Sequence, residues 1–283
     1  MKGFGSLLAY IQSLAADTPI REVWHRHSLN DLGAAIIHTD FPDRAARFLG
    51  FADGFPPHNR STQDYLLKWL PLPDDQQVLD RYAAIFNRYN CYTTLNYYTK
   101  SYALSRARFI GEEEKLKRMQ SMPGTFSTAR INEQKDRMLE IERSVPRDCF
   151  MDLAFDFDIG PNKMLSTMSM AIQKVQNLLA YLEANETPFK LYFSGGRGFH
   201  VVVPHQSFGQ ELAADNHLIN EHMARLIDQS VGPLYIDYAI YSSRRQFRME
   251  NTIHQSSGLK KVRLLREDLN AGESHILTLA KPM

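Results

Sequence analysis

The sequence predicts an α+β protein, on three observations. Residues 149–283 run in the order strand, helix, strand, strand, helix, strand. A mixed, mostly helical module over residues 1–109 precedes them. Between the two, residues 110–148 turn sharply to charged composition. The 283 residues suffice for one large or two modest domains with a buried core. Hydrophobic residues make up 43% and charged residues 23%, which excludes a mainly disordered chain. The net charge is only +1, so a nucleic-acid partner would need a local basic patch.

At the N-terminus Leu7, Leu8, Ile11 and Leu14 recur at helical spacing. Tyr10, Gln12 and Ser13 interrupt the apolar stretch, which fits an amphipathic first helix better than a signal peptide. No apolar run is long enough to span a membrane, and a cytoplasmic protein (nucleoid-associated, or nuclear in a eukaryote) is the expectation. Gly50 to Pro57 reads as a loop. Leu66, Leu67, Trp69 and Leu70 follow, and PLPDD opens a helix capped by Asp74 or Asp75. Tyr92 to Tyr98 has strand composition. Cys91 and Cys149 are too few for a four-cysteine zinc site or a disulfide framework and read as reduced core residues.

The connector or insertion, residues 110–148, holds GEEEKLKRMQ, a turn at Pro123-Gly124 and an exposed helix in INEQKDRMLEIERS. A solvated face is the simplest reading; the sharper one is a nucleic-acid guide built on Lys115, Lys117, Arg118 and Arg130. In the last module Phe150 to Ile159 alternates as a strand. Met168, Ile172, Val175, Leu179 and Leu182 mark a helix. Phe189 to Phe193 and Phe199 to Val203 are short strands around a glycine turn. Leu212, Ile219, Met223 and Leu226 mark another helix. Leu234 to Ile240 is a further strand, with Lys261 to Leu265 as one more. This order resembles the ferredoxin-like or RNA-recognition-motif sheet flanked by helices.

Three groups of residues carry chemistry. Asp156 and Asp158 lie two apart on a strand, so both carboxylates project from one face. Held so close they repel unless a cation or proton sits between them, and hard oxygen ligands suit Mg²⁺ or Mn²⁺. Phe155 and Phe157 take the opposite face and read as core. Asp152 shares the aspartates' parity, as a third ligand or, by preference, an exposed residue at the strand's start. Alone, an Asp-x-Asp pair also occurs in nucleases, sugar-nucleotide transferases and plain surface charge.

The second group is Ser194-Gly195-Gly196-Arg197-Gly198-Phe199-His200, between two short strands. Its glycines let backbone N–H groups approach an anion, and Arg197 adds a guanidinium matched to phosphate. An ordinary glycine-rich hairpin is the competing reading, but a hairpin does not need Ser194, Arg197 and His200 together. The loop lacks the Gly-Lys-Ser/Thr ending of a P-loop. The third group is Asp237 among apolar neighbours, trailed by Ser242, Ser243, Arg244, Arg245 and Arg248, with Asn251, Thr252, His254 and Lys260-Lys261 beyond. Those arginines suit a triphosphate or a nucleic-acid backbone. A surface salt-bridge network is the alternative.

The order of an Asp-x-Asp strand, then FSGGRGFH, then an Asp-bearing strand trailed by arginines resembles the archaeo-eukaryotic primase superfamily, over roughly residues 150–265. The resemblance implies a primase-like catalytic core that makes short primers, or extends strands, on a single-stranded DNA template from nucleoside triphosphates. It implies Asp156, Asp158 and Asp237 as catalytic ligands of a two-metal Mg²⁺ or Mn²⁺ site. It implies nucleotide binding by Ser194, Gly195, Arg197, Gly198 and His200, with Arg248 and His254 at the triphosphate and Arg244 and Arg245 less securely placed. It also implies a large primase subunit, helicase or polymerase as partner. Two features depart from the family pattern: the cysteines are too few for its usual zinc site, which His25 and His27 do not rescue, and QSSGLKKV follows His254 in place of Pro-Lys-x-Gly. The competing functions are a metal-dependent nuclease, another nucleotidyl-transferring enzyme and a non-catalytic single-strand-binding module that stacks bases on its sheet.

Overall fold

The computed structural model describes residues 9, 11–27, 65–73, 90–122, 124–144, 147–161, 163–242, 246–254 and 257–282. The elements form a mixed α+β arrangement with two antiparallel sheets. Strands β1 (Ile20–His27), β2 (Tyr65–Pro73), β3 (Asn90–Thr94) and β4 (Asn96–Tyr98) come first. Among the described residues of the N-terminal module strands are the commoner element, and the rest of that module lies outside the described residues. Strand β1 pairs with β2 along one edge and with β3 and β4 along the other. Residues 65–73 pair with β1 from Tyr65 to Pro73, with a register shift between Trp24 and Arg26. Asp74 and Asp75 lie outside the described residues.

Helices α1 (Lys100–Ser121) and α2 (Thr128–Arg143) form a charged hairpin. Thr99 and Ser127 cap them, accepting from the backbone N–H groups of Tyr102 and Arg130. Lys115 and Lys117 pair with Glu112 and Glu113 one turn away, as a solvated face does. Helix α1 runs unbroken through residue 109.

Strand β5 (Cys149–Met151) joins the first sheet beside β4. The chain then steps at Asp152 into the second sheet as β6 (Leu153–Asp158). Helix α3 (Met168–Ala184), β7 (Lys190–Phe193), β8 (Gly198–Val203), helix α4 (Asn216–Val231), β9 (Gln246–Arg248), β10 (Val262–Leu264) and two short helices, α5 (Arg266–Ala271) and α6 (Glu273–Leu279), follow. Strand β9 returns to the first sheet beside β3. The second sheet has the order β10-β7-β8-β6. Phe155, Phe157, Phe193 and Phe199 are fully buried on its helix side, against Val175, Leu178 and Leu179 of α3. Each such ring contributes about 2–3 kcal/mol of burial.

The expected helix after β8 is present with an unexpected buried face, and one expected strand is absent. Helix α4 buries Asn216, Asn220 and Ala224 and leaves Ile219 and Leu226 about half exposed. Around the step at Asp152 side-chain amides of α4 reach backbone carbonyls. The Asn216 amide donates to Cys149 O at 2.6 Å and the Asn220 amide to Met151 O at 2.8 Å, so polar side chains win the buried face. Leu234 to Ile240 is no strand. Tyr235 adopts a left-handed backbone (φ 61°), and Tyr238–Ile240 is a 3-10 turn capped by the Asp237 carboxylate, which accepts from Ala239 N. The segment still touches β6, where Asp237 N–H donates to Asp156 O at 2.9 Å. No helix among the described residues is long and apolar enough to cross a membrane.

Candidate functional site

The face of the second sheet opposite the helices carries the polar chemistry. Asp156 on β6 lies directly across from His200 on β8, and Tyr192 on β7 and Arg263 on β10 continue the row. The carboxylate Oδ1 of Asp156 is 3.5 Å from His200 Nε2, and both side chains are largely buried. The His200 ring stacks on Phe247 of β9 at 4.2 Å, which ties this row to the first sheet. Asp158 lies across from Gly198; its side chain is about half exposed and pairs with Lys163 at 3.3 Å. Strand parity thus brings Asp156 and Asp158 to one face. Asp237 is reached through its backbone bond to Asp156. Among the described residues no three His, Cys, Asp or Glu side chains converge to hold a metal ion. The donor chemistry of Asp156 and Asp158 fits Mg²⁺ or Mn²⁺; the third carboxylate stays on its own turn.

The loop between β7 and β8 is built by steric necessity. Ser194 N–H donates to Gly198 O at 2.9 Å and Gly196 N–H to Ser194 Oγ at 3.3 Å, closing the turn. Gly195 has a φ of +79°, and a Cβ there would meet Lys260 C and Lys261 N at 2.8 Å. A Cβ on Gly196 would stand 2.6 Å from His254 Nε2. The His254 ring therefore lies against the loop, and residues 259–261 pack against Gly195. Ser257 Oγ–H donates to Gly195 O. Arg197 is exposed at the tip, and its carbonyl accepts from Ile159 N–H at 2.8 Å.

Arg248, implied at the triphosphate, is tied to the protein's own backbone and to a tyrosine. It is buried, donates to Ile253 O at 3.2 Å and Tyr92 Oη at 3.0 Å, and lies over the Tyr92 ring. It braces the segment that carries His254. Arg244 and Arg245 lie outside the described residues.

Two buried polar groups escaped the sequence reading. Lys261 had been read only as part of a basic stretch, yet it is 4% exposed. Its Nζ donates to Arg248 O at 2.8 Å and lies 4.5 Å from the Tyr192 ring centroid. Burial, with Arg21 and Arg248 nearby, pushes the Lys261 ammonium down to about 7. The unfolded chain holds this proton up to about pH 10.5, whereas the fold releases it near 7. Folding therefore expels a proton between those values, and stability rises with pH across that window. Lys261→Met should raise the melting temperature most below pH 7, on the order of a few kcal/mol less the lost hydrogen bond. The gain should shrink towards pH 10 in paired melting curves; a gain equal at all pH values would show that the ammonium is not depressed.

The second such group is Asp152, expected at an exposed strand start but only 6% exposed. It accepts from His205 N–H at 3.0 Å and from Tyr97 Oη–H at 2.8 Å, and His205 Nδ1 lies 3.0 Å away. Burial opposes its ionisation, but the His205 hydrogen bonds and the Arg21 charge outweigh it and hold the carboxyl below its usual range. This cluster locks the point where the chain changes sheets.

No protein-family model matches the chain. No curated protein matches it either. Among solved structures it aligns with the polymerase domain of ligase D from Mycobacterium tuberculosis in complex with DNA. The TM-score is 0.46 at 11% identity, covering 98% of this chain and 86% of that one. At that score the likeness assigns neither a family nor an activity.

Proposed function

We propose that this chain is a nucleotidyltransferase of the primase or primase-polymerase type, joining nucleotides on a single-stranded DNA template. The observation that carries the reading is that the Asp156–Asp158 strand and the Ser194–His200 loop are hydrogen-bonded neighbours in one sheet, with Asp156 against His200. The spatial order β6-β8-β7, with α3 between β6 and β7, supports a ferredoxin- or RNA-recognition-motif-like core.

In this reading Arg197 and the glycine loop receive the triphosphate of the incoming nucleotide, and His254 packs against Gly196 beside it. His200 stands beside Asp156, fixed by its stack on Phe247, and holds that carboxylate in place. Mg²⁺ or Mn²⁺, held by Asp156 and Asp158 with Asp237 beside them, would neutralise phosphate charge and favour ionisation of the 3′-hydroxyl. The 3′-oxygen bonds to the α-phosphorus as its proton leaves to water, and the bond to the departing pyrophosphate breaks. Lys261, beneath the row, adds a buried cation to the field at Asp156 when protonated.

The test is incubation with single-stranded DNA, Mn²⁺ or Mg²⁺, and separately labelled NTPs and dNTPs, with products sized on a denaturing gel. New labelled strands without a primer are expected, and the label that appears identifies the preferred sugar. Metal-dependent loss of the template without incorporation would replace the reading with a nuclease. Metal-independent binding of single strands with no product, even when a primer is supplied, would replace it with a binding module.

A further inference from the structure

We propose that the cavity on the outer edge of β6 binds the 3′-terminal nucleotide of the strand being extended, an inference that rests on the nucleotidyl-transfer reading and deepens it. The cavity has a volume of about 380 Å³ and is lined by Asp158, Lys163, Met164, Tyr235, Asp237 and Tyr238 among others. That size suits a mononucleotide-scale ligand.

The lining offers one partner for each part of a nucleotide. Tyr235 and Tyr238 are aromatic surfaces on which a base stacks. Each ring already carries a cation on one face: Lys174 Nζ lies 5.0 Å from the Tyr235 centroid and the Arg225 guanidinium 4.1 Å from that of Tyr238. These cations, and the Asp228 carboxylate that accepts from the Tyr238 hydroxyl, hold the rings in place. Tyr235 remains 38% exposed and sits in the left-handed backbone region, which a non-glycine residue adopts only at a cost. Lys163 supplies a cation for a phosphodiester. The carboxylates of Asp158 and Asp237 can only accept, as sugar hydroxyls require.

Position gives the direction. The loop proposed for the triphosphate lies on the β8 side of Asp156 and Asp158, and the Tyr235–Tyr238 segment lies on the opposite side of β6. In-line transfer needs the donor and the acceptor on either side of the reacting centre. The cavity is therefore on the acceptor side.

The experiment uses the full chain and a short single-stranded DNA carrying 2-aminopurine either as its 3′-terminal base or internally. Saturation should quench the terminal probe and leave the internal one nearly unchanged. Tyr235→Asn removes the ring but tolerates the left-handed backbone, and should weaken binding about tenfold and abolish the terminal quench. Lys163→Gln, on an exposed side chain, should weaken binding several-fold. Binding of nucleoside triphosphate, measured by calorimetry, should be unchanged in both variants. Equal quenching at both positions, undiminished binding by both variants, or no DNA binding at all would overturn the proposal. Terminal quenching in a protein that never incorporates nucleotides would overturn the transfer reading and leave the cavity assignment standing. Incorporation without terminal quenching would do the reverse.

Discussion

Asp156→Ala should reduce nucleotide incorporation on a primed single-stranded template by at least about 10³-fold, the scale lost when charge stabilisation at a reacting phosphoryl group is removed. The carboxylate lies on the polar face of β6, directly across from His200, with Phe155 and Phe157 packed on the other face. Truncation therefore removes charge without opening a cavity in the aromatic core. Asp158→Ala should behave alike, with an even smaller effect on stability, because that side chain is about half exposed and its ion pair with Lys163 is a surface pair. Melting curves of both variants should stay within a few degrees of the parent. Incorporation retained at a tenth or more of the parent rate in either variant would remove that carboxylate from the catalytic set. Asp156→Asn separates charge from shape: it keeps an oxygen facing His200, and activity as low as in the alanine variant would assign the effect to the lost negative charge.

Gly198→Ala should be the most damaging single methyl in the second sheet. A Cβ there would stand 2.1 Å from the carbonyl oxygen of Phe157, in the strand it pairs with. The obstacle is backbone, so no rotamer change relieves it. The β6–β8 ladder must spread or slip, and a one-residue slip would exchange the faces of Asp156 and Phe157. Overpacking of this kind costs roughly 3 kcal/mol or more. In a chain of this size that lowers the melting temperature by roughly 10 °C, and incorporation should fall with it. Gly209→Ala is the internal control. Its φ is +62° with nothing within 4 Å of the added atom, so only the left-handed penalty of about 1–2 kcal/mol applies. Equal losses at the two positions would show that the close approach at Gly198 is not what the strand pairing requires.

Much of the second half was legible in the sequence. The alternation of Leu153 to Asp158 separated the aspartates from the phenylalanines, because backbone pleating alone decides parity. The spacing of Val175, Leu179 and Leu182 marked the buried stripe of α3 for the same kind of local reason. The glycine turn was legible too, since three glycines around an arginine announce close backbone approaches; two of those approaches, at Gly195 and Gly196, are to residues 259–261 and to His254.

Local pattern failed where the deciding partner is far along the chain. Asp152 is buried because His205, 53 residues away, and Tyr97 satisfy it. Arg248 braces the His254 segment because Tyr92, 156 residues away, accepts from its guanidinium. Asn216 and Asn220 take the buried face of α4 because their amides donate to the carbonyls of Cys149 and Met151 at the step between sheets. The sequence by itself determined which residues alternate, which recur at helical spacing and which turn must be glycine, since these follow from backbone geometry within a few residues. Tertiary structure alone decided which polar groups are buried, as with Lys261 beneath the Asp156 row, because burying a charge or an amide is tolerable only where distant chain segments supply its partners.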